Sequence, residues 1–162
     1  MKLYSWNVNG IRAVVRKGTF QAFIAEQQPD ILCLQETKAH KGDVDIKQLD
    51  ELGYHHDWFS AQKKGYSGVA IFSKIKPDAV KIGTGHEVSD SEGRVLEMQF
   101  GEVKLINAYF PSGTSGDIRQ TYKYQWLAEM HEYLEEQKKK NPKIILCGDY
   151  NIAHREIDIH DS

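Results

Sequence analysis

The chain has 162 residues and only two cysteines, too few for a disulfide framework. Both of them, Cys33 and Cys147, sit inside apolar runs ("DILCLQE" and "KIILCGD") and read as reduced, buried strand residues. There is no excess of positive charge. Lys and Arg total 21 against 23 Asp and Glu, a formal net charge of −2. Such a chain is no polycation, so any nucleic-acid contact must come from a local basic patch or a bound metal. No apolar run approaches membrane-spanning length, and no membrane partner is expected. No cysteine–histidine spacing suggests zinc. Internal repeats, linkers and low-complexity segments are lacking too, which leaves one domain or part of a larger one. No basic-then-apolar leader opens the chain, because a usable strand begins at Lys2; the expected address is the cytoplasm of a bacterium.

What is there is ordinary for a globular chain: 40% hydrophobic and 27% charged residues. "KLYSWNV" alternates and reads as a first strand. "GTFQAFIAEQQP" reads as a helix with Thr19 as N-cap, Phe20, Phe23, Ile24 and Gln27 on one face, and Pro29 as its stop. "DILCLQE" is apolar almost throughout and should be a strand buried on both faces. "DVDIKQLDELG" suggests a short helix closed by Gly53, and "SGVAIFSK" another strand. "RVLEMQF" and "VKLINAYF", separated by "GE", form a hairpin pattern. "DIRQTYKYQWLAEMHEYLEEQKKK" is the clearest helix, with Ile118, Tyr122, Trp126, Met130 and Tyr133 or Leu134 as its apolar stripe. "KIILCGD" is the last apolar strand. Strands and helices interleave around at least one antiparallel pair, so the class is α+β with a mixed sheet and covering helices.

Several apolar strands end in groups able to hold a hard cation. The first ends at Asn7, the second at Glu36 in "LQETK", and the last at Asp149 and Asn151 in "GDYN". A fourth ends "NAYFPSG", with Asn107 and Tyr109 on one face by period-two counting. Mg²⁺ prefers carboxylate, amide carbonyl and water, which Glu36 and Asn7 offer. An Asp two residues from an Asn can orient a water with one side chain and hold a phosphate oxygen with the other. Each piece also has a bland reading: "NVNG" as a turn, "QET" as a strand and solvated loop, "GDYN" as an Asx turn, Tyr109 as a half-buried aromatic. Those readings do not explain why all four collect at strand ends.

Taken together, "WNVNGIR", "LQETK", "KKGYSGVAIFS", "EGRVL", "NAYFPSG" and "CGDYNIAHREIDI" resemble the exodeoxyribonuclease III family. These are the abasic-site endonucleases of the endonuclease/exonuclease/phosphatase superfamily. The resemblance implies a four-layer αββα sandwich of the DNase I-like kind, with the site between two sheets at their strand ends. It implies that Asn7 and Glu36 hold Mg²⁺ (Mn²⁺ being the alternative), with Glu36 the direct ligand. Asp149 would activate or orient the attacking water, Asn151 would orient the scissile phosphate, and Tyr109 would contact it. Lys38, Gly65, Tyr66 and Arg94 fall where the family touches the DNA backbone. Ser112 departs from the family, whose members usually carry an amide there.

By the same resemblance the substrate is double-stranded DNA with abasic sites or 3′ ends. It would be cut 5′ to the abasic site, with 3′-to-5′ exonuclease and 3′-phosphatase action alongside, in base-excision repair. Residues 1–162 would be the N-terminal portion of a single domain that is monomeric when complete. The remainder would carry a DNA-inserting loop and an Asp-His pair, for which His154 and His160 are no substitute. Competing readings are another superfamily phosphodiesterase, acting on RNA tails or lipid headgroups, and an inactive binding module. "KKGYSGVAIFS" and "EGRVL" argue against the first.

Overall fold

Ile31–Gln35, a run with no charged side chain, forms strand β2 and is buried at every position. It sits inside a four-stranded sheet of order β1-β2-β4-β3, with β1 at Leu3–Asn7, β3 at His55–Phe59 and β4 at Val69–Ser73. A second four-stranded sheet has the order β5-β6-β7-β8. Its members are β5 (Ala79–Ile82), β6 (Val95–Phe100), β7 (Val103–Tyr109) and β8 (Ile144–Asp149). The structure is a computed structural model describing residues 1–113 and 116–153, of which residues 46, 48 and 49 are described by backbone alone.

Helices α1 (Ile11–Arg16), α2 (Thr19–Gln27), α3 (Ile46–Glu51), α4 (Glu87–Ser91) and α5 (Asp117–Lys140) complete the fold. Period-two alternation sorts the strand side chains into three cores. Leu32 and Leu34 of β2, with Ala70 and Phe72 of β4, face Ile11, Phe20 and Ile24 of α1 and α2. The alternate residues Ile31, Cys33, Val69 and Ile71 face the second sheet at Leu96, Met98 and Leu105. On the far side Val95, Ile106 and Ala108 are covered by Trp126, Met130 and Tyr133 of α5. Helix, sheet, sheet and helix therefore stack as four layers, the αββα sandwich. Each fully buried large apolar side chain in it contributes about 1.5–3 kcal/mol.

Several expectations are corrected. Thr19 opens α2 but does not cap it; the N-cap is Gly18, at φ 74°, with no side-chain bond to the helix. Ile118 is 86% exposed, so the buried stripe of α5 starts later, at Trp126, and runs on to Gln137. Cys147 is half-buried and not buried, because β8 is an edge strand among the described strands. The short elements α1, β3, β5 and α4 went unread.

Topology decides where polar strand ends meet. β1 runs parallel to β2, and β7 parallel to β8, with Asn7↔Gln35 and Tyr109↔Asp149 as their last paired residues. The inner layer is thus graded along its length. It passes from Ile31, Leu105 and Ile145 to the Cys33–Cys147 neighbours, then to buried Gln35 and Asn107, and finally to Asn7, Glu36, Tyr109 and Asp149.

Candidate active site

Asn7 is the hinge of the constellation. Its amide nitrogen donates to Glu36 Oε2 at 3.0 Å and to Asp149 Oδ2 at 2.7 Å. One amide thus joins a carboxylate of the first sheet to one of the second. Its oxygen accepts the Asn9 N–H at 3.0 Å, the Asx-turn bond that Asn7 and the following Asn9-Gly10 favour. In this structure Asn7 therefore presents nitrogen, not oxygen, to the two carboxylates.

Glu36 follows β2 with φ at +56°, a conformation that costs a non-glycine residue about 1 kcal/mol or more. Neighbouring backbone holds it there. Gly10 N–H donates to Glu36 O, Thr37 N–H to Gly68 O, and Lys38 N–H to Ser67 O. Lys38 Nζ lies 3.0 Å from Glu36 Oε1 and donates to Asn9 Oδ1 at 2.6 Å. Burial pushes the Glu36 carboxyl up, but hydrogen bonds from Lys38 and Asn7 outweigh it and hold the group below its ordinary range.

The second sheet supplies Tyr109, Asp149 and Asn151. The Asn151 N–H donates to Asp149 Oδ1 at 3.1 Å, and its side-chain amide donates to Phe110 O at 2.8 Å. Lys123 of α5 ties down the Asn151 carbonyl at 2.5 Å. Burial, then the Glu36 charge, push the Tyr109 hydroxyl up to about 12, so it keeps its proton at neutral pH. Asn7, Gln35, Asp149 and Asn151 line an open cleft of about 680 Å³.

Arg94, which the resemblance puts near the DNA backbone, is buried beside Tyr109. It is 2% exposed, its guanidinium 5.0 Å from the Tyr109 ring centroid. It donates to Tyr109 O at 2.9 Å, to Tyr66 OH at 3.2 Å and to Glu92 Oε2 at 2.6 Å. Arg119 of α5 donates to Glu92 Oε1 at 3.1 Å and to Tyr66 OH at 2.9 Å, and Tyr122 OH donates to Glu92 Oε2 at 3.1 Å. Burial raises the Glu92 carboxyl, but Arg94 and Arg119 together bring it below its ordinary range. Glu92, Arg119 and Tyr122 escaped the sequence reading. The "EGR" triplet was the visible signal for Glu92, whereas Arg119 and Tyr122 lay within a helix read for its apolar face.

Of the other expected contacts, Lys38 joins the constellation and Tyr66 joins the Arg94 network. Gly65 is exposed at φ +69° and shares a groove of about 360 Å³ with Gly10, Arg12, Arg16 and Lys38. Ser112 is half-buried in the segment after β7. His154, His160 and most of the "AHREIDI" motif lie outside the described residues.

The donor set suits a hard cation. Two carboxylates from two sheets converge on the Asn7 amide, whose oxygen would have to turn from the Asn9 N–H to face a metal, and among the described residues no group of three or more His, Cys, Asp or Glu gathers as a metal site.

The chain resembles known proteins over nearly its whole length. It is 48% identical over 159 residues to an exodeoxyribonuclease of Bacillus subtilis, covering 98% of this chain and 62% of the relative. It is 38% identical over 161 residues to a DNA-(apurinic or apyrimidinic site) endonuclease of Dictyostelium discoideum, covering 98% of this chain and 44% of that one. A Neisseria 3′ phosphatase solved with a product DNA hairpin superposes with a TM-score of 0.87 at 32% identity, over 99% of this chain and 62% of its own. An AP endonuclease from Archaeoglobus fulgidus gives 0.80 at 32% identity, over 98% of this chain and 60% of its own. The chain thus spans less than two thirds of the length of each of these relatives. The model of the Endonuclease/Exonuclease/phosphatase family matches residues 4–162, a span that takes in both carboxylates and the amide between them, and to that family the chain belongs.

Proposed function

We propose that this chain carries the hydrolytic site of a divalent-metal-dependent DNA phosphodiesterase of base-excision repair. It would cut duplex DNA 5′ to abasic sites, with related action on 3′ ends. The observation that carries the reading is the Asn7 bridge, one amide nitrogen hydrogen-bonded to both the Glu36 and the Asp149 carboxylates beside a cleft that Asn7 and Asp149 line. The names of the relatives support a DNA substrate. Residues 1–162 are read as the N-terminal portion of one such domain, which when complete acts as a monomer in the bacterial cytoplasm.

Glu36, with Asn7 beside it, would hold Mg²⁺ or Mn²⁺. When bound, the metal supplies positive charge against the phosphate and its leaving oxygen. Asp149 orients a water for attack on phosphorus and takes up its proton. Asn151 and the protonated Tyr109 hydroxyl hold the phosphate oxygens by donating hydrogen bonds. Lys38, Arg12 and Arg16 line the neighbouring groove, where they meet backbone phosphates without reading sequence.

The test is cleavage of an abasic duplex by the full-length gene product, with a lipid-headgroup diester as the contrasting substrate. Glu36→Gln should raise the Mg²⁺ concentration needed for half-maximal rate. Asp149→Asn should lose roughly 10²-fold or more and not be restored by added metal. An unchanged metal titration in the first variant, or full metal rescue of the second, sinks these assignments.

A further inference from the structure

Behind the carboxylates lies a pair of amides that the hydrolytic chemistry does not use. Gln35 is 1% exposed and Asn107 0%, and both face the layer between the sheets. Gln35 Nε2 donates to Asn107 Oδ1 at 2.8 Å and to Ser5 Oγ at 3.0 Å. Asn107 Nδ2 donates to the carbonyls of Leu34 at 2.9 Å and Ala70 at 3.0 Å, one on β2 and one on β4. A side chain rooted in β7 therefore spends both its N–H groups on the backbone of the opposite sheet. The remaining contacts across this layer are largely apolar, and apolar surfaces slide past one another at little cost because dispersion has no direction. Directed bonds between buried groups do not slide.

Position gives the pair its meaning. Gln35 precedes Glu36 and is paired across the ladder with Asn7. Asn107 lies two residues before Tyr109 and is paired with Cys147, two residues before Asp149. Each amide is thus one step behind the polar groups of its own sheet.

We propose that Gln35 and Asn107 form a positioning clamp. It fixes the offset of one sheet against the other and so sets the spacing of Glu36 and Asn7 from Tyr109 and Asp149. Gln35 borders the cleft at 1% exposure and Asn107 is wholly buried, so both are positioning residues. They act through the strands that carry the reacting groups, and the Asn7 bridge can form only at the offset they impose. The clamp deepens the hydrolase reading and rests on it.

The experiment compares Gln35→Met, Asn107→Leu and the double variant in the full-length gene product. Three quantities are read: melting temperature, Mn²⁺ affinity of the DNA-free protein by electron paramagnetic resonance, and kcat with KM on an abasic duplex. Misplacing the reacting groups by about 1 Å should lower kcat roughly 10- to 100-fold while KM stays nearly level. Mn²⁺ affinity should weaken in parallel. The double variant should be no worse than Asn107→Leu alone, since that change already removes the bond Gln35 makes to it across the layer. A lower melting temperature with kcat and Mn²⁺ affinity intact would reduce the pair to a structural role and overturn the clamp. Additive losses in the double variant would overturn it as well. Gln35→Met fills a similar volume and leaves both carbonyl bonds of Asn107 in place, so it carries the test if Asn107→Leu does not fold. Wild-type protein that cuts no duplex would defeat the hydrolase reading, while the Mn²⁺ affinities would still decide the clamp.

Discussion

Gly148 shows how closely single residues are held. It stands one place before Asp149, at φ 149°, and a Cβ there would lie 1.8 Å from the Ala108 carbonyl oxygen. That atom is backbone of the neighbouring strand and has nowhere to go. Gly148→Ala should therefore force β8 away from β7 and cost about 1–3 kcal/mol, read as a lower denaturation midpoint. Because Asp149 travels with the backbone, the Asn7 bond should lengthen and hydrolysis should fall more than stability does. A variant as stable and as active as the parent would show that the strand can give way. The polar strand ends of the site were legible, since Asn, Glu and Asp at the tips of apolar runs break the pattern visibly. The burial of Arg94 was not legible, because a lone arginine is ordinarily exposed. Only the fold reveals that the Tyr109 carbonyl, Tyr66 and Glu92 satisfy its donors in the interior.

Among the elements, those with a strong period or a continuous apolar run could be read in advance. β2, the β6–β7 hairpin and α5 each fill a whole layer face, so their patterns are long and clean. β5 has four residues, all exposed, and α1 is a six-residue helix fused to a turn, too short for a period to emerge. The junction of α4, β6 and α5 is held by ions instead of a stripe. Glu92 closes α4 and binds Arg94 and Arg119. Its folded pKa lies below the ordinary value, so its contribution is complete above the ordinary glutamate range. It is lost as pH falls through the depressed folded value. The melting temperature should stay level from about pH 8 to pH 6 and drop below about pH 4.5. Glu92→Gln should melt lower at neutral pH and show a smaller acid drop. An acid limb as steep as in the parent would remove Glu92 from this role.

At the scale of the whole molecule, the described residues form two open four-stranded sheets with four edges. β8 is half-buried along its length, and in β5 Val80 and Ile82 are 40% and 58% exposed. An unpaired edge beside exposed apolar side chains is a template for association. Residues 1–162 expressed alone should self-associate in light scattering and cut an abasic duplex poorly. A soluble, fully active monomer would show that these edges need no cover. The Asn7–Asp149 bond joins residues 142 apart in the chain, nearly its full length. On the ribosome, where synthesis runs at about 5–20 residues per second, Asn7 emerges on the order of ten seconds before its partner. Throughout that interval a nascent chain can hold Glu36 and Lys38 together but has no Asp149 to set beside them. The two carboxylates can thus meet only after β8 has been made, so the order of synthesis sets when the constellation is assembled.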